Sequence, residues 1–251
     1  MSNPGQSFVP SKKILQKYAE VLVNFALNSG KGLRKGEVVQ CSVPDVAKPL
    51  ALELQNAILQ AGGHPLVRLT PTLFSRDFYS LANEEQLVFF PEKYLRAKAD
   101  LLDHSIGIIA EVDPEELKNI DAAKIMKSQA AQYPFRDWLF EKERLGKFSW
   151  TAALWGTEAK AQIVGLSLKQ YWEQIIKACY LDKPDPIAEW RTLAAKQKKI
   201  QDQLNNLNIE YLRVEGKDVD LRLKLGEHRA WKTGSGSNIP SFEHFTSPDW
   251  R

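Results

Sequence analysis

The residues of this chain best placed to do chemistry lie close to its carboxyl end, in the run GSGSNIPSFEHFTSPDWR. There Glu243 follows Asn238-Ile239-Pro240 at a short interval and stands between Phe242 and His244, with Phe245 beyond. Carboxylate oxygens are hard donors suited to divalent cations, and one carboxylate can bridge two such ions. The same glutamate is equally compatible with a surface position between two aromatics. Elsewhere the chemical vocabulary is sparse. His64 and His104 each open a strand-like run with no Cys, Asp or Glu at ligand spacing, so a hydrogen-bonded structural role is expected for both. Cys41 and Cys179 form no CxxC and are expected as buried apolar thiols, not as a disulfide or a zinc site. No GxGxxG follows the first strand, and neither GxxxxGK[ST] nor GxSxG occurs, which removes the sequence-level grounds for phosphate binding and for an elbow-mounted serine nucleophile. The chain before the final run shows no readable active site.

Composition narrows the setting. Against 34 Lys and Arg stand 31 Asp and Glu, a formal net charge of +3 that is too mild and too evenly spread to point to nucleic acid or a membrane surface. With 251 residues, 43% of them hydrophobic, the chain can bury a sizeable core. No apolar run approaches the roughly 18 residues a membrane span needs, and MSNPGQSFVP lacks the basic start and apolar heart of a secretion signal. The cysteine usage suits a reducing compartment, so a cytoplasmic protein is expected.

The elements that have to position these groups alternate. KKILQKYAEVLVNFALNSG spaces Ile14, Tyr18, Val21, Leu22 and Phe25 as an amphipathic helix closing on Gly30. EVVQCSV, HPLVRLT, SIGIIAEV and SWTAALW read as short β-rich strands, and helical runs separate them. Asp113 and Pro114 are expected to cap a helix after the third strand, and AAKIMKSQAAQYPFRDWLFEKERLG reads as one further helix. Strand, helix, strand at this spacing predicts an α/β domain over 1–180, a parallel sheet flanked by helices. Two successive helices then form a helical connector over 181–207. IEYLRVEG and DVDLRLKLGEH read as an antiparallel hairpin that opens a second, antiparallel α+β domain over 208–251.

The order DVDLRLKLGEHRAWKTGSGSNIPSFEHFTSPDWR, from alternating strand through tryptophan and Gly/Ser loop to Asn-Ile-Pro and Glu243, resembles the thermophilic-type metallo-aminopeptidases. So do KYAEVLVNFALNSGKGLRKGEVVQ, AGGHPLVRL and LNIEYLRVEGKDVDLRLKL, and the likeness covers essentially the whole chain. It implies a hydrolase that releases amino-terminal residues from peptides, using two divalent ions (zinc, cobalt or manganese) held by glutamates, histidines, an aspartate and a tyrosine. The first of those glutamates follows Asn-Ile-Pro, so Glu243 is the implied metal ligand, with Asn238 to Pro240 shaping the approach. His244 is left out because neighbours on a strand face opposite ways. No other ligand of that set maps onto the chain, so an amino-terminal portion is expected, inactive alone and without tight metal binding. The resemblance also implies a homodimer acting on peptides, with no nucleic-acid or membrane partner. The alternative is a noncatalytic α/β module that binds a ligand or partner at the carboxyl ends of its strands.

Overall fold

A computed structural model describes residues 7–227, 229–233, 238–239 and 244–246. Helix α1 (Lys12–Val21) starts on Ser11, whose hydroxyl accepts the Ile14 N–H, and passes into a single π-helical turn over Leu22–Ala26. The expected run to Gly30 is cut short because Leu27 is extended and Asn28 and Ser29 take left-handed φ values of 52° and 53°. Asparagine tolerates that region because its short polar side chain bonds locally, and here the Asn28 amide donates to the Gly32 carbonyl.

Strand β1 (Val38–Pro44) leads through a 3-10 turn into α2 (Lys48–Gln60) and β2 (His64–Thr70). Helices α3 (Ser75–Leu81), α4 (Glu84–Leu87) and α5 (Glu92–Leu101) precede β3 (His104–Ile109). The Asp113 carboxylate does accept the Glu115 N–H, but only turns follow it. The cap that opens a helix is Asp121, ahead of α6 (Ala122–Ala131). The single helix expected over 122–146 is two, because Pro134 has no N–H to donate into the preceding turn; Gln132 separates α6 from α7 (Tyr133–Arg144). Then come β4 (Ser149–Leu154), α8 (Glu158–Ile163), α9 (Leu168–Ala178) and α10 (Pro186–Asn206). The hairpin β5 (Tyr211–Gly216) and β6 (Val219–Lys224) follows, and Val219, Leu221 and Leu223 of β6 are exposed. Short strands β7 (Trp231–Thr233), β8 (Asn238–Ile239) and β9 (His244–Thr246) complete the described chain.

The main sheet has the order β2-β1-β3-β4-β8, and every neighbouring pair in it is parallel. Its pleat sends alternate residues to one packed face, where register aligns them in rows. Cys41, Ile106 and Thr151 form one such row, and Ala153 and Ile239 continue the next; all of these are buried. Helices α1, α2 and α9 cover that face. Tyr18 of α1 donates to the Leu154 carbonyl at 3.0 Å, and Trp155 meets Trp172 of α9 edge-on at 4.9 Å. The opposite face carries Gln40, Ser42 and Ser105, only half-buried.

Packing draws the first turns of α10 into this core. Trp190 is 1% exposed, lies against Phe25 and Tyr180, and donates its indole N–H to the Cys179 carbonyl. Within the described part of 208–251, β8 joins the parallel sheet, while β7 and β9 pair with each other.

At the amino ends of β1, β3 and β4 a polar cluster is sealed under the left-handed turn. His104, 2% exposed, lies 2.9 Å from Glu37 Oε2 through Nε2 and 2.9 Å from Ser149 Oγ through Nδ1. Asn28 joins it twice, its N–H donating to Ser149 Oγ and its amide to Glu37. Burial works against the Glu37 charge, but bonds donated by the Arg34 N–H, His104 and Asn28 outweigh it and hold the carboxyl below its ordinary value of 4.5.

Two predictions follow from this packing. A Cβ on Gly156 would meet Trp172 Nε1 at 2.8 Å, whereas one on Gly107 would find its nearest atom, the Thr151 carbonyl oxygen, at 4.0 Å. Gly156→Ala should therefore lose about 1–3 kcal/mol in urea unfolding and Gly107→Ala less than about 1; equal losses would contradict the tight turn. Because the Glu37 carboxyl is depressed in the folded state, its contribution is complete above the ordinary carboxylate value and is lost as pH falls through the lower, folded one. Thermal scans across that acid range should show a steeper stability loss in wild type than in Glu37→Gln, and parallel profiles would exclude Glu37 as the titrating group.

Candidate functional site at the carboxyl edge

Open parallel sheets bind ligands outside the carboxyl ends of their strands, at the point where successive connections leave in opposite directions. Here the chain goes from β1 to β2 on one side and then returns to place β3 on the other, so that point lies between β1 and β3. The edge is built from the residues that follow each strand. After β1, Asp45 accepts the Val46 N–H at 2.8 Å and the Thr72 hydroxyl at 2.9 Å, which ties the end of β1 to the end of β2. After β3, the Glu111 carbonyl accepts the Thr157 hydroxyl at 2.6 Å and its carboxylate pairs with Lys160. Asp113 pairs with Arg76 at 3.1 Å, and Glu116 accepts the N–H groups of Ser75 and Arg76 at 2.8 and 3.1 Å, at the start of α3. The rim thus carries four carboxylates, Asp45, Glu111, Asp113 and Glu116, and the cations Arg76 and Lys160, paired with Asp113 and Glu111. Sequence reading singled out Asp113 as a helix cap and passed over the others; their common signal is their place just after a strand or a turn from one.

Asn238 and Ile239 arrive at the far side of this edge. They pair with Ala152 and Ala153, and Ile239 is 1% exposed within the main core. Since β8 runs parallel to β4, the chain reaches Ile239 travelling toward the carboxyl edge. Pro240 and the candidate ligand Glu243 lie outside the described residues. Beyond them the backbone of His244–Thr246 pairs antiparallel with Trp231–Thr233. That ribbon is itself held by α10: the Trp231 carbonyl accepts from Gln201 at 2.9 Å and Asn205 at 3.1 Å, and its N–H donates to Asn205 at 2.8 Å. In sequence Glu243 therefore falls between two secured points, a buried strand residue four positions before it and a paired strand residue one position after.

Among the described residues no three or more His, Cys, Asp or Glu side chains converge as a metal site. Of the other candidates, His64 is exposed at the start of β2, and its backbone N–H, not its imidazole, makes the bond that is present, to the Glu37 carbonyl. His104 is enclosed by the amino-edge cluster, on the side of the sheet remote from the rim. Cys41 and Cys179 are free and buried, and burial pushes each thiol up to about 12, which leaves them unreactive. No described helix is long and apolar enough to cross a membrane.

Known proteins share this arrangement over almost the whole chain. A family profile described as thermophilic metalloprotease (M29) matches residues 11–251. Aminopeptidase 2 of Geobacillus stearothermophilus is 25% identical over 259 residues, covering 94% of this chain and 61% of its own length. Aminopeptidase AmpS of Bacillus subtilis (strain 168) is 26% identical over 258 residues, with 93% and 60% covered. The chain thus spans about three-fifths of the length of these curated relatives. The solved structure of wild-type AmpT from Thermus thermophilus superposes with a TM-score of 0.79 at 24% identity over 94% of this chain and 62% of that one, which establishes the same fold. With the profile running through the α/β sheet, the hairpin and the Asn238–Ile239 strand alike, the chain belongs to the thermophilic metalloprotease (M29) family.

Proposed function

We propose that this chain forms the larger part of a metal-dependent aminopeptidase in which Glu243 is one ligand of a pair of divalent ions. The observation that carries the reading is the parallel pairing of Asn238–Ile239 with β4, which aims the chain at the carboxyl edge four residues before Glu243. The names of the relatives support the reaction class, and the family supports metal dependence. Bound zinc, cobalt or manganese would supply an acidified water for attack on the first peptide bond and a positive centre for the substrate.

The parts assigned to this chain are positional. Glu243 would offer a hard carboxylate at the edge, and the buried Ile239 side chain would keep the approach to it from shifting. Asp45 and Glu116, the rim carboxylates without an ion pair among the described residues, leave the edge with a negative balance that would favour the free α-ammonium group that distinguishes an amino-terminal substrate. The remaining ligands would come from the part of the relatives' length that this chain does not span. The reading carries with it peptide substrates and a homodimeric, cytoplasmic enzyme.

The test compares neighbours in a protein of the relatives' full length. Glu243→Gln keeps size but replaces an anionic oxygen with a neutral amide, and should cut hydrolysis of a chromogenic amino-acid amide by about 100-fold or more and lower the bound metal. His244→Ala should cost less than about tenfold. Two bound ions and wild-type turnover in Glu243→Gln would reject the assignment.

A further inference from the structure

Where α10 ends, the chain passes through 207–210 into the β5–β6 hairpin and returns to β7, and these segments enclose a cavity of about 530 Å³, within the range that takes small ligands. Two residues of its wall carry buried polar atoms that have no hydrogen-bond partner among the described residues: Nε of Arg229 and Nε1 of Trp231. Buried donors are ordinarily matched. The side chains that bear them are anchored from elsewhere. Trp231 is fixed through its backbone to Gln201 and Asn205, and Arg229 donates through Nη2 to the Ile209 carbonyl with its guanidinium 5.9 Å from the Trp231 ring centre. Both residues are half-buried, so each unmatched nitrogen is screened while its side chain borders the cavity; a ligand oxygen would meet it after the small rotamer change common at binding sites.

The two unmatched groups define what could match them. Indole and guanidinium are donors with no acceptor, so the partner has to supply oxygens, and the fixed charge on Arg229 selects an anion. Nε is one arm of the guanidinium fork, whose geometry fits the two oxygens of a carboxylate. Lys224 brings a second positive group to the wall. Glu210 and Glu227 border the same cavity, and among the described residues no ion pair joins either of them to Arg229 or Lys224. Two cations and two carboxylates leave the wall neutral overall, which favours a singly charged carboxylate over a phosphate.

We infer that this cavity holds the free carboxylate end of a short peptide, with Arg229 as its charged partner and the Trp231 indole N–H as a second donor. The substrate class rests on the reading of Glu243 as a metal ligand, and the β7–β9 ribbon links the two places: Trp231 pairs with Thr246, and Thr233 with His244, the residue after Glu243 in sequence. Along β7, Trp231 and Thr233 stand roughly 7 Å apart, which is the span of about two residues of extended peptide. A substrate anchored at Arg229 therefore brings its amino end to the Glu243 end of the ribbon only if it is short. Di- and tripeptides with a free carboxyl end are the class that fits.

Binding is read first on the chain itself, where no catalysis is needed. N-acetylglycine and its uncharged amide are titrated while the indole N–H signals are followed by nuclear magnetic resonance, the Trp231 signal being identified by its loss in Trp231→Phe. That signal should move with millimolar N-acetylglycine and stay in place with the amide or with inorganic phosphate. Arg229→Gln should weaken the response by about tenfold or more; Arg229→Lys, which keeps the charge and loses the fork, should weaken it less. Glu243→Gln should respond as wild type does, which separates this site from the proposed metal ligand. In a protein of the relatives' full length, Arg229→Gln and Trp231→Phe should raise KM for the dipeptide Leu-Gly about tenfold more than KM for Leu-Gly amide, with kcat little changed. An equal response to acid and amide, an unchanged response in Arg229→Gln, or no response at millimolar concentration would overturn the carboxylate site. Equal KM changes for the two dipeptides would overturn the substrate class. A full-length wild type without peptidase activity would reject the Glu243 reading and the substrate class with it, and the titration would still decide the carboxylate site.

Discussion

Two residues of backbone pairing organise the relation between scaffold and site. Asn238 and Ile239 lie against Ala152 and Ala153 as the last strand of the parallel sheet, with Ile239 sunk into the core that Tyr18, Trp155 and Trp172 help to build. A ladder this short is worth little through its hydrogen bonds, since each contributes only about 1 kcal/mol net. Burial of Ile239, at about 2 kcal/mol for a fully covered aliphatic side chain, is the larger share. The Asn238–Ile239 strand is thereby registered by the α/β core.

The two ends of the sheet divide the work. At the amino end, Glu37, His104, Ser149 and Asn28 satisfy one another beneath a left-handed turn, and this closed cluster holds the starts of β1, β3 and β4 together. At the carboxyl end the corresponding polar residues are pairs at the surface: Arg76 with Asp113 and Lys160 with Glu111, all with substantial side-chain exposure. Surface pairs of this kind contribute up to about 1 kcal/mol and rearrange readily. The same sheet is fixed at one end and adaptable at the other, as the proposed binding at the carboxyl edge would require.

Much of this was legible in the sequence because it is local. The strands from EVVQCSV to SWTAALW stand out by β-rich composition and their turn residues, and the amphipathic period of α1 follows from Tyr18, Val21 and Leu22. The boundaries were less legible where a local signal had two readings. Asp113 makes the bond expected of a cap, yet the helix waits for Asp121; Pro134 divides a run whose apolar spacing continues across it. What the sequence could not disclose is non-local. Two residues carry no period, so nothing in Asn-Ile-Pro announces a parallel partner at Ala152 and Ala153. Likewise the burial of Trp190 against Phe25 depends on α10 folding back over α1, which spacing within α10 does not encode. Glu243 itself was reached through family resemblance, since a single glutamate between aromatics has no distinguishing pattern.

The central claim is that Asn238–Ile239 is part of the α/β core and brings the chain to the carboxyl edge. Amide hydrogen exchange at these residues tests it most directly, because exchange reports whether a segment opens with the core or by itself. The hydrogen-bonded amides of the β4–β8 ladder should exchange through the same global opening as those around Ile106 in β3. Exchange of the ladder amides as fast as those of the exposed β5–β6 hairpin, with β3 still protected, would contradict the account and detach the Glu243 segment from the scaffold proposed to position it.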